Sequence, residues 1–202
     1  MANIRNFEPV DFYEIDSLLT DEQKLIRDSI RSFVSKEISP NIEDWYERNH
    51  FPIDIVKKMG NTGIFGPTVS DKYGGGGLDN ISYGLIMQEL ERGDSGMRST
   101  ASVQSSLVMY PIEAYGSEEQ KLKYLPKLAS GEILGCFGLT EPDYGSNPGG
   151  MVSKIEDKGD HYILNGSKMW ISNSPAADIA VVWAKDESKR IKGMIVERGM
   201  DG

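Results

Sequence analysis

The spacing of apolar residues changes near residue 131, and this change constrains the fold more than any other feature. Before it, apolar residues recur at helical intervals in segments that begin with helix-capping residues. After it, short apolar segments recur roughly every ten residues, separated by glycine and polar turn residues. The sequence therefore predicts an α+β chain, with an N-terminal all-helical domain over residues 1–131 and a β domain over residues 132–202.

Two capping boxes mark helix starts in the first part of the chain. In Thr20-Asp-Glu-Gln23 and in Ser117-Glu-Glu-Gln120, a hydroxyl can accept from the amide three residues later, and the glutamine can reach back. The pattern predicts helices over about residues 20–39, 53–59, 80–92, 97–109 and 117–128. The glycine run at residues 74–77 lacks the pattern of a phosphate-binding loop, which leaves a hinge or a close backbone approach.

The second part predicts six strands, over residues 133–139, 151–156, 161–164, 168–172, 179–185 and 191–197. Their short, regular spacing favours an antiparallel barrel or sandwich. The last strand has no following segment to pair with, so we expect this β domain to be incomplete and the chain to be part of a longer protein.

Charge and residue counts exclude several classes of function. The net charge of −9 argues against nucleic-acid binding, which needs a basic surface. One cysteine, Cys136, and two histidines far apart in sequence predict neither a disulfide nor a metal site. No apolar run approaches 18 residues, so we expect no membrane span, and the sequence carries no serine-hydrolase G-x-S-x-G motif.

Two segments contain the candidate site: residues 136–151 and residues 168–173. Glycines at 145, 149 and 150 allow close approach of backbone amides to a ligand. Thr140, Ser146 and Ser172 supply hydroxyls, and Trp170 supplies a flat apolar surface. From the residues alone, a cofactor site is no better supported than a sheet with two tight loops and a core tryptophan.

The motif Phe137-Gly-Leu-Thr-Glu-Pro142, then Gly145-Ser146 and Lys168-Met-Trp-Ile-Ser-Asn173, resembles the acyl-CoA dehydrogenase family in order and separation. The resemblance covers nearly the whole chain and implies that it is the N-terminal half of such a protein. In this family FAD lies between the β domain and a C-terminal helical domain, which is absent here. The base that removes the substrate α-proton comes from that domain. We therefore expect no catalytic residue in this chain, and we expect the base beyond Gly202.

The resemblance also implies a role for each motif residue. Phe137, Gly138, Leu139, Gly145 and Ser146 would follow the flavin and pyrophosphate, mainly through backbone amides. Thr140 would bond the pyrimidine side of the flavin, Trp170 and Ile171 would pack by the ring, and Ser172 would lie near N5. Ser146 would also contact the acyl-CoA. Ser172 and Asn147 replace the threonine and aspartate that many relatives have.

The segment Glu91-Arg-Gly-Asp-Ser-Gly-Met-Arg-Ser99 narrows the resemblance to the glutaryl-CoA dehydrogenase branch. This implies that Arg98 binds the distal carboxylate of the substrate, with Ser99 as a neighbouring donor and Glu91 near the same pocket. An arginine fork suits a carboxylate because it can bind both oxygens. The alternative from spacing alone is an i,i+4 pair between Arg98 and Asp94. Met97 departs from the tyrosine that is frequent in this branch.

The implied activity is FAD-dependent α,β-dehydrogenation of glutaryl-CoA with decarboxylation to crotonyl-CoA. The alternatives are a short-chain acyl-CoA dehydrogenase, an acyl-CoA oxidase or, in a different class, a non-catalytic helical assembly module. The family resemblance further implies electron-transfer flavoprotein as a partner and a homotetramer. It implies a cytoplasmic protein if the source is bacterial and a mitochondrial matrix protein if it is eukaryotic.

Overall fold

The computed structural model describes residues 10–201, with a helical part followed by a sheet. The α-helices are α1 Asp21–Phe33, α2 Ile42–Glu47, α3 Ile53–Asn61, α4 Asn80–Gly93, α5 Ser95–Ser102, α6 Tyr110–Tyr115 and α7 Glu118–Ala129. Two π-helical segments, Val34–Ile38 and Val103–Met109, extend α1 and join α5 to α6. The strands are β1 Gly135–Gly138, β2 Lys154–Asp157, β3 Tyr162–Asn165, β4 Ile179–Lys185 and β5 Ile191–Glu197. The predicted order of helices and then strands is confirmed.

The two predicted domains extend slightly past the residues that the structure describes. Residues 1–9 of the predicted helical domain and Gly202 at the end of the predicted β domain lie outside the described residues. The expected position of the catalytic base, beyond Gly202, also lies outside them. That expectation therefore stays a prediction.

Both capping boxes form as predicted. The Thr20 hydroxyl accepts from the Gln23 amide at 3.2 Å, and the Thr20 amide donates to Gln23 Oε1 at 3.0 Å. Ser117 and Gln120 make the same reciprocal pair at the start of α7. Among the helices described, none is long and apolar enough to cross a bilayer.

A buried carboxylate joins α1 to α4 within the helical core. Glu89 is 1% exposed and accepts from Arg31 Nη2 at 2.8 Å and from Arg92 Nε at 2.9 Å. The surrounding core consists of apolar side chains from α1, α3, α4 and α7 and the segments between them. The Arg31–Glu89 pair lies away from the sheet.

The sheet is mixed, whereas regular spacing predicted antiparallel pairing. β4 runs antiparallel to β5 and β2 antiparallel to β3, but β1 pairs with β4 in parallel. β2 also meets β4 in parallel, at Lys154 and Lys185. The long connection over residues 139–178 explains the difference, because it carries the chain back to start β4 in the direction of β1.

The predicted strand over residues 168–172 is wrong. Trp170 and Asn173 have left-handed backbones, with φ of 61° and 69°, which a β-strand cannot accommodate. The segment instead runs as an irregular loop between β3 and β4. At the glycine run of residues 74–77, two backbone segments approach closely, as one of the two predicted alternatives required. A Cβ on Gly75 would lie 2.2 Å from the Val69 carbonyl oxygen.

Gln104 attaches β1 to the helices. This fully buried side chain lies in the π-helical segment and donates to the carbonyls of Leu128 and Ile133, each at 2.9 Å. Its Oε1 accepts from the Gly135 amide at 2.8 Å. A Cβ on Gly135 would lie 2.5 Å from the Val108 side chain, so strand and helix are in direct contact. The start of the sheet is therefore fixed on the helical part.

Candidate functional site

The two sequence segments of the candidate site run side by side in the structure. The Met169 amide donates to the Thr140 carbonyl at 2.9 Å. Lys168 Nζ donates to the Leu139 carbonyl at 3.0 Å and to Glu141 Oε1 at 2.8 Å. The chain leaving β1 is therefore joined to the loop that precedes β4.

Glu141 is the buried centre of these contacts. Its side chain is 2% exposed and accepts from the amides of Val152 and Ser153, from the Ser153 hydroxyl and from Lys168. Burial alone raises the pKa of the Glu141 carboxyl, but hydrogen bonds from Lys168, Ser153 and Val152 outweigh it and lower the pKa to about 2. Glu141 is therefore ionised at neutral pH.

Trp170 does not belong to the core. Its side chain is 85% exposed, which excludes the core tryptophan that spacing alone left open. A bulky residue with positive φ is strained, at a cost of about 1–3 kcal/mol. A strained backbone that packing does not require supports the hypothesis of a functional role for this residue.

Unpartnered donors surround this tryptophan. The backbone amides of Trp170, Ile171 and Ser172 make no hydrogen bond within residues 10–201, and the hydroxyls of Thr140 and Ser172 have none either. We call Thr140 and residues 170–172 the candidate wall. An apolar surface beside a row of free donors suits a flat heteroaromatic ring with acceptor atoms at its edge, as in a flavin.

The other predicted cofactor residues lie outside the candidate wall. Phe137 is half-buried and packs against Trp183 at the edge of the core, with ring centroids 6.0 Å apart. Gly138 is buried against Val182. Gly145 and Ser146 are exposed in a bend. Within the described chain, no hydrogen bond joins these two residues to residues 168–173.

Arg98 and Glu91 come together at the start of α5. Arg98 Nε donates to Glu91 Oε2 at 2.7 Å, and Ser95 Oγ donates to Glu91 Oε1 at 2.6 Å. Asp94 caps α5 by accepting from the Met97 amide, and no ion pair joins it to Arg98 among the described residues, so the alternative Arg98–Asp94 pair is wrong. The hydrogen bond from Arg98, followed by that from Ser95, lowers the pKa of Glu91. The terminal nitrogens of Arg98 find no acceptor among the residues described.

Asn173 connects this region to the candidate wall. Its Nδ2 donates to the Gly135 carbonyl at 3.2 Å and to the Thr100 carbonyl at 3.4 Å. Thr100 follows Ser99, a half-buried residue of α5, whereas the Met97 side chain is buried in the core. The Arg98–Ser99 segment and the loop that contains Trp170 therefore meet through one amide side chain.

Within residues 10–201, no group of three or more histidine, cysteine or acidic side chains has the geometry to bind a metal ion. Cys136 lies buried in β1, and burial raises the pKa of its thiol. A buried thiol with a raised pKa is a poor nucleophile.

Comparison with known proteins agrees with this arrangement. Residues 20–132 match the acyl-CoA dehydrogenase N-terminal domain, and residues 136–202 match the acyl-CoA dehydrogenase middle domain. The chain belongs to the acyl-CoA dehydrogenase family. The family membership predicted from the motifs is thereby confirmed.

Two curated members of the family are nearly equally similar. The chain is 40% identical over 190 residues to glutaryl-CoA dehydrogenase of Desulfococcus multivorans, covering 91% of this chain and 49% of the relative. It is 41% identical over 194 residues to the short-chain specific acyl-CoA dehydrogenase of Clostridium acetobutylicum, covering 93% and 51%. The chain thus spans about half the length of these relatives, and identity alone does not separate their substrates.

Among solved acyl-CoA dehydrogenase structures, the glutaryl-CoA dehydrogenase from Mycobacterium smegmatis in complex with FADH2 superposes with a TM-score of 0.93. The two sequences are 45% identical, and the match covers 97% of this chain and 50% of the other. The helical part and the mixed sheet therefore reproduce half of a relative whose structure was solved with FADH2.

Sequence reasoning missed the functional contacts of three residues in the acyl-CoA dehydrogenase motifs. Glu141, Lys168 and Asn173 all stand in the quoted motifs, yet the sequence assigned none of them a role. The available signal was an acidic residue in one motif and a lysine in the other. Their pairing depends on the loop geometry, which spacing does not encode.

Proposed function

We propose that the chain forms one wall of the FAD site of an acyl-CoA dehydrogenase. The observation that carries the proposal is Trp170, 85% exposed with positive φ and surrounded by unpartnered donors. When bound, FAD supplies the redox chemistry by accepting a hydride from the substrate. The free donors of Thr140 and Ser172 beside the Trp170 ring suit a polar ligand, which favours the enzyme over a helical assembly module.

The residues of the candidate wall contact different parts of the cofactor. Trp170 and Ile171 present apolar surface to the face of the flavin. Thr140, Ser172 and the free amides of residues 170–172 donate to its polar edge. Gly145 and Ser146 present backbone amides and one hydroxyl to the pyrophosphate and the acyl-CoA. We assign no α-proton base to the described residues, and the proposal places that base beyond Gly202.

We further infer that the substrate is a dicarboxylic acyl-CoA, with glutaryl-CoA the best candidate. Glu91 engages Arg98 through Nε, which orients the guanidinium and leaves both terminal nitrogens available for a carboxylate. Ser99 supplies a neighbouring hydroxyl. The equal identity to a short-chain dehydrogenase supports a monocarboxylic substrate as the second candidate.

The rest of the proposal follows the family resemblance. Electron-transfer flavoprotein accepts the electrons, the protein is a homotetramer, and glutaryl-CoA is decarboxylated to crotonyl-CoA. Product analysis by mass spectrometry tests the decarboxylation. A strictly oxygen-dependent turnover would instead favour an acyl-CoA oxidase.

The substrate is tested by replacing Arg98 with methionine in the natural-length protein. Loss of a charge-assisted carboxylate contact worth about 1.5–3 kcal/mol lowers kcat/KM for glutaryl-CoA about tenfold to a hundredfold. The value for butyryl-CoA stays within about threefold, because that substrate has no distal carboxylate. Arg48→Met, which removes an exposed pair with Asp44 on α2, is the matched control. Equal losses for both substrates contradict the assignment.

A further inference from the structure

We propose that the buried Glu141–Lys168 pair is a positioning device that fixes the separation of Thr140 and Trp170, and thereby the affinity for the flavin. The inference rests on the proposed FAD site and assigns that site two further residues. Neither side chain is exposed enough to line the site: Glu141 is 2% exposed and Lys168 is 11% exposed. Both act through the backbone on either side of the candidate wall.

Lys168 bonds to the residues on both sides of Thr140 in the sequence. Its ammonium donates to the carbonyl of Leu139 and the carboxylate of Glu141, the two residues that flank Thr140. The next residue, Met169, donates its amide to the carbonyl of Thr140 itself. Three consecutive residues are thus tied to Lys168 and Met169, and Trp170 follows directly. The position of Thr140 relative to Trp170 is set by these contacts.

Glu141 anchors the same loops to the sheet. It accepts from the amides of Val152 and Ser153, immediately before β2. The Ser153 carbonyl in turn accepts from the Lys185 amide at the end of β4. A Cβ on Gly166 would lie 2.1 Å from Ser153 Oγ, so the loop that leads to Lys168 lies directly on this anchor. Displacing the pair therefore moves both sides of the candidate wall.

Stability alone is a poor explanation for this arrangement. Removing two charges from water costs several kcal/mol per ion, and apolar replacements of buried pairs are often as stable. The pair instead satisfies backbone amides and carbonyls that an apolar pair would leave without partners. The Arg31–Glu89 pair also has a buried carboxylate, but it joins α1 to α4 and contacts none of these loops. Breaking the Arg31–Glu89 pair should therefore lower stability without moving the candidate wall, which makes it a control for the positioning role.

The test compares Lys168→Met with Arg31→Met in the natural-length protein. FAD is titrated into apoprotein by fluorescence, the bound-flavin absorption spectrum is recorded, and urea midpoints are measured. We expect Lys168→Met to raise the FAD Kd by about tenfold or more and to shift the spectrum, since the donors no longer meet the ring edge. Arg31→Met lowers the urea midpoint but leaves Kd within about twofold and the spectrum unchanged. Lys168→Arg, which retains the charge and donors, recovers part of the affinity.

Ser153→Ala keeps the test decisive if Lys168→Met does not fold. It removes one hydrogen bond to Glu141 without changing charge, and we expect a rise in Kd of about threefold. An unchanged FAD Kd and spectrum in Lys168→Met, or in Ser153→Ala where that variant substitutes for it, overturns the positioning role alone. A wild-type protein that binds no FAD overturns the proposed function instead.

Discussion

Trp170 illustrates at the scale of one residue how function departs from packing. An indole that buries little surface contributes little to folding, and its left-handed backbone adds a cost to the folded state. The same exposed ring supplies the surface that we propose for the flavin. Stability and ligand affinity should therefore respond in opposite directions when this side chain is removed.

Trp170→Gly tests this opposition. Glycine adopts positive φ without strain, although it adds entropy to the unfolded chain, so we expect unfolding free energy to stay the same or rise by about 1 kcal/mol. The FAD Kd rises, because the apolar surface for the ring is lost. Urea titration and FAD titration measure the two effects. A marked loss of stability would show that Trp170 is a packing residue after all.

Glu141 makes stability depend on pH in a defined window. Its pKa is about 2 in the folded protein against 4.5 ordinarily, so the folded state favours the ionised form. The resulting stabilisation is complete above pH 4.5 and is lost as pH falls toward 2. In Glu141→Gln, unfolding free energy is lower at about pH 7, and its further loss between about pH 4.5 and about pH 3 is smaller than in the wild type. Unfolding free energies are measured in urea at each pH. If they fall by the same amount in wild type and Glu141→Gln as the pH is lowered, this role is contradicted.

At the scale of elements, local signals were predictable and pairings were not. The helix starts at Thr20 and Ser117 follow from capping boxes, which are complete within four residues. The bounds of β4 and β5 match the predicted segments, because their apolar runs are bounded by turn residues. Residues 168–172 resemble a strand in composition, yet contacts with Thr140 override that preference. Parallel pairing of β1 with β4 depends on the path of a long connection, which no local pattern specifies.

The same limit applied to the candidate site. The sequence named Thr140, Trp170 and Ser172 through motif resemblance, and the structure places them in adjoining segments. Asn173 and Gln104 act through carbonyls and amides on other elements, so their partners became visible only once the chain was folded. The domain division at residue 131 stays a prediction, although α7 ends at Ala129 and β1 begins at Gly135.

Gln104→Leu tests the attachment of the sheet to the helices. It leaves the Gly135 amide and the carbonyls of Leu128 and Ile133 without their partner, and we expect a loss of about 3 kcal/mol in unfolding free energy. Gln88→Leu, an exposed position on α4, is the control and should change stability by no more than about 0.5 kcal/mol. Urea titration measures both variants. If Gln104→Leu and Gln88→Leu change the unfolding free energy equally, Gln104 is dispensable for the attachment.

At the scale of the whole molecule, the two parts are joined at several separate places. Gln104 and Asn173 lie at one end of β1, and at β5 Glu197 accepts from Lys123 Nζ and the Tyr124 hydroxyl, both at 2.6 Å. The helical part that bears Arg98 is thus fixed relative to the sheet that bears the candidate wall. In the function that we propose, one substrate would reach from Arg98 to a flavin on the candidate wall.

Reduction of bound flavin by acyl-CoA tests this account most directly. The natural-length protein is purified, supplied with FAD and mixed anaerobically with glutaryl-CoA while the flavin absorbance is followed. We predict that FAD binds and that glutaryl-CoA bleaches its absorbance faster than butyryl-CoA does. A protein that binds no FAD, or whose flavin butyryl-CoA reduces while glutaryl-CoA does not, contradicts the account.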